Sequence, residues 1–94
     1  MAKRVVYTDE AFADIDRIIE FNDRRNQSNA YSRKFLKGLR QRLQKQLKQP
    51  YSGLRTDKQN VFLLIWDNYY IYYKPEANKI EVVAIYHQKE VAGR

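Results

Sequence analysis

Hydrophobic and polar positions change their period along the chain, which separates a helical first half from a strand-rich last third. Residues 61–66, 69–73 and 80–86 are runs of β-branched and aromatic residues. They are interrupted by Asp67-Asn68 and by the turn-forming segment 75–78. Such runs between turn residues are typical of antiparallel strands joined by short connections. The pattern therefore predicts three consecutive strands.

Residues 3–7 have the composition of one further short strand, and a helix is predicted directly after it. Thr8 supplies a capping hydroxyl, and Asp9 and Glu10 place carboxylates near the positive end of the helix dipole. At about 100° per residue, one side of this helix collects Ala11, Phe12, Ile15, Ile18, Ile19 and Asn22.

A second amphipathic helix is predicted after the polar segment 26–29. Ser28 is able to cap it, and Pro50 with Gly53 marks its end. Its apolar stripe consists of Tyr31, Phe35, Leu36, Leu39, Leu43 and Leu47. The order of elements predicts an α+β fold in which residues 1–94 form a single domain. Two helices pack on one side of a mainly antiparallel sheet made of the N-terminal strand and three to four further strands.

The predicted strands are apolar on both alternating sides, which is unusual for a sheet with one wet face. Two helices are able to cover one of these faces. The other is either turned inward by curvature or reserved for a partner. The residues expected to bind a partner are aromatic: Tyr70, Tyr72, Trp66 and Tyr86. The competing interpretation is that tyrosines of this segment pack the sheet against the helices.

Composition excludes several classes of chemistry. The chain has no cysteine, one histidine and three glycines, so it offers no disulfide framework, thiolate metal site or glycine-rich phosphate loop. We expect no metal and no cofactor. The N-terminus has only the apolar run 5–7 before it becomes acidic, which is too short for a signal sequence or a membrane span. A cytoplasmic protein without membrane contact is expected.

The positive charge is concentrated in the middle of the chain. Residues 27–60 carry 9 basic and 1 acidic side chains, whereas the flanking segments are close to neutral, and the whole chain has a net charge of +7. The polar side of the second helix contributes most of it. These residues, with Arg94, are candidates for binding nucleic acid or another acidic target: Arg33, Lys34, Lys37, Arg40, Lys45 and Lys48. An ordinary solvated helix face is the alternative.

The order of elements, the aromatic hairpin at 67–73, the strand at 79–85 and the ending Tyr86-His87-Gln88-Lys89 resemble the RelE/ParE toxins of bacterial type II toxin–antitoxin modules. The resemblance implies a small toxin neutralised by a cognate antitoxin, with a homodimer or a toxin–antitoxin hetero-oligomer as possible assemblies. RelE-like members cleave mRNA on the ribosome, and ParE-like members inhibit DNA gyrase without being nucleases.

For the RelE-like alternative, the resemblance implies His87 as a catalytic residue, with Lys89 and Arg55 as nearby cations. Metal-free RNA cleavage needs cations that stabilise charge on the scissile phosphate, in addition to a proton acceptor. The strand at 61–66 carries none, unlike that of RelE-like nucleases, and Gln88 replaces a tyrosine found in some of them. The sequence therefore favours a ParE-like inhibitor of gyrase over an enzyme. A non-toxic basic binding module is a further alternative.

Overall fold

The computed structural model describes residues 3–26 and 29–89, which form an α+β fold. The strands are β1 (Arg4–Tyr7), β2 (Leu54–Arg55), β3 (Phe62–Trp66), β4 (Tyr69–Pro75) and β5 (Lys79–His87). The helices α1 (Asp9–Asn26) and α2 (Ala30–Gln46) both lie between β1 and β2 in the chain. Neither described helix is long and apolar enough to cross a membrane. The predicted order of elements is confirmed.

The five strands form one sheet in the order β1-β5-β4-β3-β2. Consecutive strands β2 to β5 pair in antiparallel fashion, and β1 pairs in parallel with β5. The two helices provide the crossover that a parallel pair requires. Thr8 begins the crossover as predicted: its Oγ1 accepts the N–H of Ala11 at 3.1 Å.

The core lies between the helices and one face of the sheet. Ile15 and Ile18 from α1 and Leu39 and Leu43 from α2 are buried against strand residues that share one side: Leu64, Tyr69, Ile71, Tyr73, Ile80, Val82 and Ile85. A register shift between Tyr72 and Tyr73 lets β5 keep both Val82 and Ile85 on this side. Both helices therefore pack on the same face of the sheet.

The predicted helix stripes are wrong at three positions. Phe12 is 52% exposed, and Tyr31 and Leu36 are each 38% exposed. Phe12 points along the edge of the fold, where its ring centroid lies 5.3 Å from that of Tyr7. The buried sides of the helices instead include polar residues: Asp14, Ser32 and Gln46. The predicted cap Ser28 lies outside the described residues.

The end of α2 is held by a buried polar cluster. The Tyr73 hydroxyl donates to the carbonyl of Pro50 at 2.8 Å, and the Gln46 amide donates to the Tyr73 hydroxyl at 3.0 Å. Gln46 also donates to Ser52 at 2.9 Å. These bonds satisfy buried polar groups and fix the path of the chain from α2 to β2.

Candidate functional site

The face of the sheet opposite the helices is apolar, and no described element covers it. Register places Ile65, Tyr70 and Tyr86 in one cross-strand row and Leu63, Tyr72 and Ala84 in the next. Ile65 is 49% exposed, and the rings of Tyr72 and Tyr86 pack edge to face with centroids 6.1 Å apart. We refer to Leu54, Leu63, Ile65, Tyr70, Tyr72 and Tyr86 as the open face. Such a patch is typical of a binding surface.

A groove of about 610 Å³ runs along one end of the open face, between the loop that follows β2 and the strands β4 and β5. Its lining includes the aromatic rings of Tyr72 and Tyr86 and the charged side chains of Asp57, Lys58 and Lys74. The groove combines the apolar and cationic groups that an amphipathic, acidic peptide segment would contact.

Trp66 does not belong to the open face. Its ring packs against Phe35 of α2, with centroids 5.8 Å apart, and against Tyr69 at 5.9 Å. The two-residue turn pairs Trp66 with Tyr69, so that Ile65, and not Trp66, lies opposite Tyr70. Of the four aromatic residues expected to bind a partner, the structure groups Tyr70, Tyr72 and Tyr86 only.

The basic residues predicted on the second helix are all exposed along α2 and the turn after it: Arg33, Lys34, Lys37, Arg40, Lys45 and Lys48. None of the ion pairs found in residues 3–26 and 29–89 involves these six side chains. We refer to them as the basic face. Arg94, the seventh predicted contact, lies outside the described residues.

His87 lies on the helix side of the sheet, at the end of β5. Its ring meets that of Tyr69 edge to face at 5.2 Å. The backbone N–H of Lys89 donates to Nδ1 of His87 at 3.1 Å. This bond leaves Nε2 as the nitrogen that carries the proton in the neutral ring. His87 and Lys89 line one pocket of about 400 Å³ between α1, the start of α2 and the end of β5.

The structure does not bring Arg55 to this pocket. Arg55 pairs with Phe62, which pairs with Tyr73, whereas His87 pairs with Tyr69. The two residues are thus three strands apart and four positions apart along β4, or about 14 Å across the sheet and about 13 Å along it. Arg55 and His87 therefore cannot act on one phosphate in this arrangement.

The cations beside His87 come instead from α1, and sequence reasoning missed them. Arg17 and Arg25 line the pocket together with Lys89. Arg17 is held by the Asp14 carboxylate at 2.6 Å and donates to the carbonyl of Ile85 at 3.2 Å. Its guanidinium carbon also lies 5.7 Å from the centre of the Tyr86 ring. The spacing of Asp14 and Arg17 was the only sequence signal that pointed to an anchored arginine.

A pair of hydroxyls forms the floor of the pocket. The oxygens of Tyr31 and Tyr69 are 2.6 Å apart. Burial raises the pKa of Tyr69, and the hydrogen bond with Tyr31 raises it further. The phenol is therefore neutral throughout the physiological range. Within the described part of the chain, no group of three metal-ligating side chains exists.

Comparisons with known proteins agree with the fold. The profile of the family described as "ParE toxin of type II toxin-antitoxin system, parDE" matches residues 5–92. A solved structure titled "Chromosomal ParDE TA system from P. aeruginosa" is similar with a TM-score of 0.70 and 17% identity, covering 93% of this chain and 96% of that one. No curated protein sequence matches. Because the family profile spans nearly the whole chain, the protein belongs to the ParE toxins of type II toxin–antitoxin systems.

Proposed function

We propose that this chain is a cytoplasmic toxin that arrests DNA replication by inhibiting DNA gyrase and that a cognate antitoxin neutralises it. The observation that carries the proposal is the open face. Without a partner, the chain leaves apolar side chains such as Ile65, which is 49% exposed, in contact with water. A partner segment that covers them contributes about 25 cal/mol per Å² of apolar surface buried.

The antitoxin segment best suited to this surface is amphipathic and acidic. Its apolar residues contact Tyr72 and Tyr86 in the groove, and its carboxylates reach Lys58 and Lys74, whose two positive charges outnumber the one carboxylate of Asp57. Such a segment combines apolar burial with favourable charge pairs at the rim. The toxin–antitoxin hetero-oligomer is accordingly the proposed resting assembly.

The proposed contact with the target is the basic face of α2. Six exposed cations on one helix and the turn after it create a positive potential that favours anionic partners. DNA held by gyrase, or an acidic surface of the enzyme, has the required charge. Attraction of this kind weakens as salt is added.

The test is induced expression of the chain, with and without the neighbouring antitoxin gene, followed by labelling of DNA, RNA and protein synthesis. Early loss of DNA synthesis that the second gene prevents supports the proposal. A variant with Lys34→Glu, Lys37→Glu and Lys45→Glu is expected to lose toxicity. The control with the same charge change, Lys3→Glu, Arg4→Glu and Arg55→Glu, alters exposed cations outside both proposed contacts and is expected to retain it. Early loss of protein synthesis would argue against gyrase as the target.

The second candidate function is cleavage of mRNA, and one observation favours it: His87 shares its pocket with Arg17, Arg25 and Lys89. Against it, the strand β3 carries no cation of the kind that stabilises a scissile phosphate in RelE-like nucleases. Gyrase inhibition remains the preferred function.

A further inference from the structure

The pocket beside α1 has a composition that the proposed function does not use. Its lining combines aromatic and cationic side chains: Phe21, Tyr31 and Tyr69 with Arg17, Arg25 and Lys89. Its volume of about 400 Å³ lies within the range of small-molecule sites in proteins and exceeds what a single side chain fills.

Phe21 is the most unusual member of this pocket. It is 62% exposed although it lies within α1, one turn beyond the buried Ile18. Tyr31, at the start of α2, is 38% exposed and lines the same space. Two accessible aromatic rings from different helices provide the stacking surfaces that proteins use to hold planar bases.

The charge of the pocket matches a dianion. Three cationic side chains line it, and Asp14, which binds Arg17 at 2.6 Å, neutralises one of them. The described lining residues include no carboxylate. The balance is close to two positive charges, and a phosphate monoester carries about two negative ones at neutral pH. A carboxylate would compensate only half of this charge.

From this arrangement we propose that the pocket binds a nucleotide. The base lies against Phe21 and Tyr31, and the phosphate binds Arg25 and Lys89. The hydroxyls of Tyr31 and Tyr69, 2.6 Å apart, provide hydrogen-bonding groups in the same pocket. The same chemistry occurs in a free mononucleotide and in one nucleotide of a single strand. The inference does not depend on gyrase or on the antitoxin.

The experiment is calorimetric titration of the full chain with adenosine 5′-monophosphate, adenosine, inorganic phosphate and a short single-stranded oligodeoxyadenylate. The monophosphate is expected to bind more tightly than adenosine or phosphate alone, because stacking and charge pairing require both parts. Tighter binding of the oligonucleotide than of the monophosphate, measured in the variant with Lys34→Glu, Lys37→Glu and Lys45→Glu that weakens the basic face, identifies a strand as the source. The reverse order identifies the free nucleotide.

Two matched pairs of variants locate the site. Phe21→Ala and Arg25→Gln are each expected to weaken monophosphate binding by about five-fold or more, the lower end of the value of one stacked base. Phe12→Ala and Arg24→Gln change the same residue types on the same helix outside the pocket and should bind as the parent does. The proposal would be overturned if Phe21→Ala weakened monophosphate binding no more than Phe12→Ala, and Arg25→Gln no more than Arg24→Gln. So would absence of monophosphate binding, or binding of an acidic peptide at this pocket in its place.

Discussion

The carboxylate of Asp14 on α1 accepts the backbone N–H of Ile85 on β5 at 2.9 Å. The parallel strand β1 ends at Tyr7, opposite Val82, so this edge of β5 continues beyond its neighbouring strand. Beyond the end of β1, the side chains of Asp14 and Arg17 bind the N–H and the carbonyl of Ile85, and they replace the hydrogen bonds of a neighbouring strand. Two helix side chains thus complete the sheet edge beside His87.

Asp14→Ala is expected to destabilise the fold by about 2 kcal/mol, because it leaves a buried N–H of β5 without an acceptor. Chemical unfolding measures the loss. Asp16→Ala, an exposed carboxylate two positions along α1, is the control and should change the free energy of unfolding by less than about 0.5 kcal/mol. Similar losses in the two variants would show that the Ile85 contact contributes nothing specific.

Gly38→Ala tests how closely α2 approaches the sheet. A Cβ at Gly38 would lie 2.8 Å from Cζ2 of Trp66. The gain in helix propensity, about 1 kcal/mol, is outweighed by overpacking that costs about 1 to 3 kcal/mol. We therefore expect lower stability. Adding Trp66→Leu should remove the clash, so that Gly38→Ala becomes favourable in that background, as measured by a double-mutant cycle.

Alkaline pH should destabilise the protein through its buried tyrosines. Burial raises the pKa of Tyr69 above its ordinary value of 10.0, and burial also raises the pKa of Tyr73. Because the pKa of each tyrosine is higher in the folded than in the unfolded chain, its contribution to the free energy of unfolding is fully present below pH 10. That contribution is lost as the pH rises above 10. The slope of unfolding free energy against pH above 10 should become shallower in Tyr69→Phe. Tyr51→Phe, at a residue 65% exposed, is the control and should keep the parent slope.

The strands and helices were predictable because turn-forming residues mark their ends and because hydrophobic residues repeat with different periods in the two kinds of element. The arrangement of side chains around the pocket was not predictable, because it depends on contacts between distant parts of the chain. Asp14 accepts a backbone N–H that lies 71 positions away, and Arg25 and Lys89 line the same pocket only because α1 packs against β5. The error at Trp66 was avoidable. A two-residue turn at Asp67-Asn68 pairs 66 with 69, which puts Trp66 and Tyr70 on opposite faces.

Ile65→Lys is expected to abolish antitoxin binding while leaving the chain folded, because this half-exposed side chain lies on the open face beside Tyr70. Burying an unpaired ammonium in the complex is costly. Affinity for the co-expressed antitoxin and rescue of growth are the measurements. Leu36→Lys changes a comparable exposed residue on α2, and it should bind the antitoxin as the parent does. Loss of binding only in Leu36→Lys would place the antitoxin over the helices.

The isolated toxin carrying Ile65→Lys should also associate less with itself. The parent exposes apolar residues on a sheet surface, and such surfaces promote association. Sedimentation of both chains at equal concentration gives the comparison. A parent that is fully monomeric would remove the reason for expecting a covering partner on this face.

His87→Ala is expected to leave toxicity intact, with DNA synthesis arrested and transcripts uncut. Cleavage would require cations that stabilise the charge on the scissile phosphate in addition to His87, and the strand β3 carries none. Arg17, the cation most firmly placed in the pocket of His87, is already held by Asp14 and by the Ile85 carbonyl. A true nuclease should instead lose about 10² to 10⁴ in rate when its general base is removed. Primer extension on transcripts after induction distinguishes the two functions, because codon-phased cuts that vanish in His87→Ala would establish the chain as a nuclease.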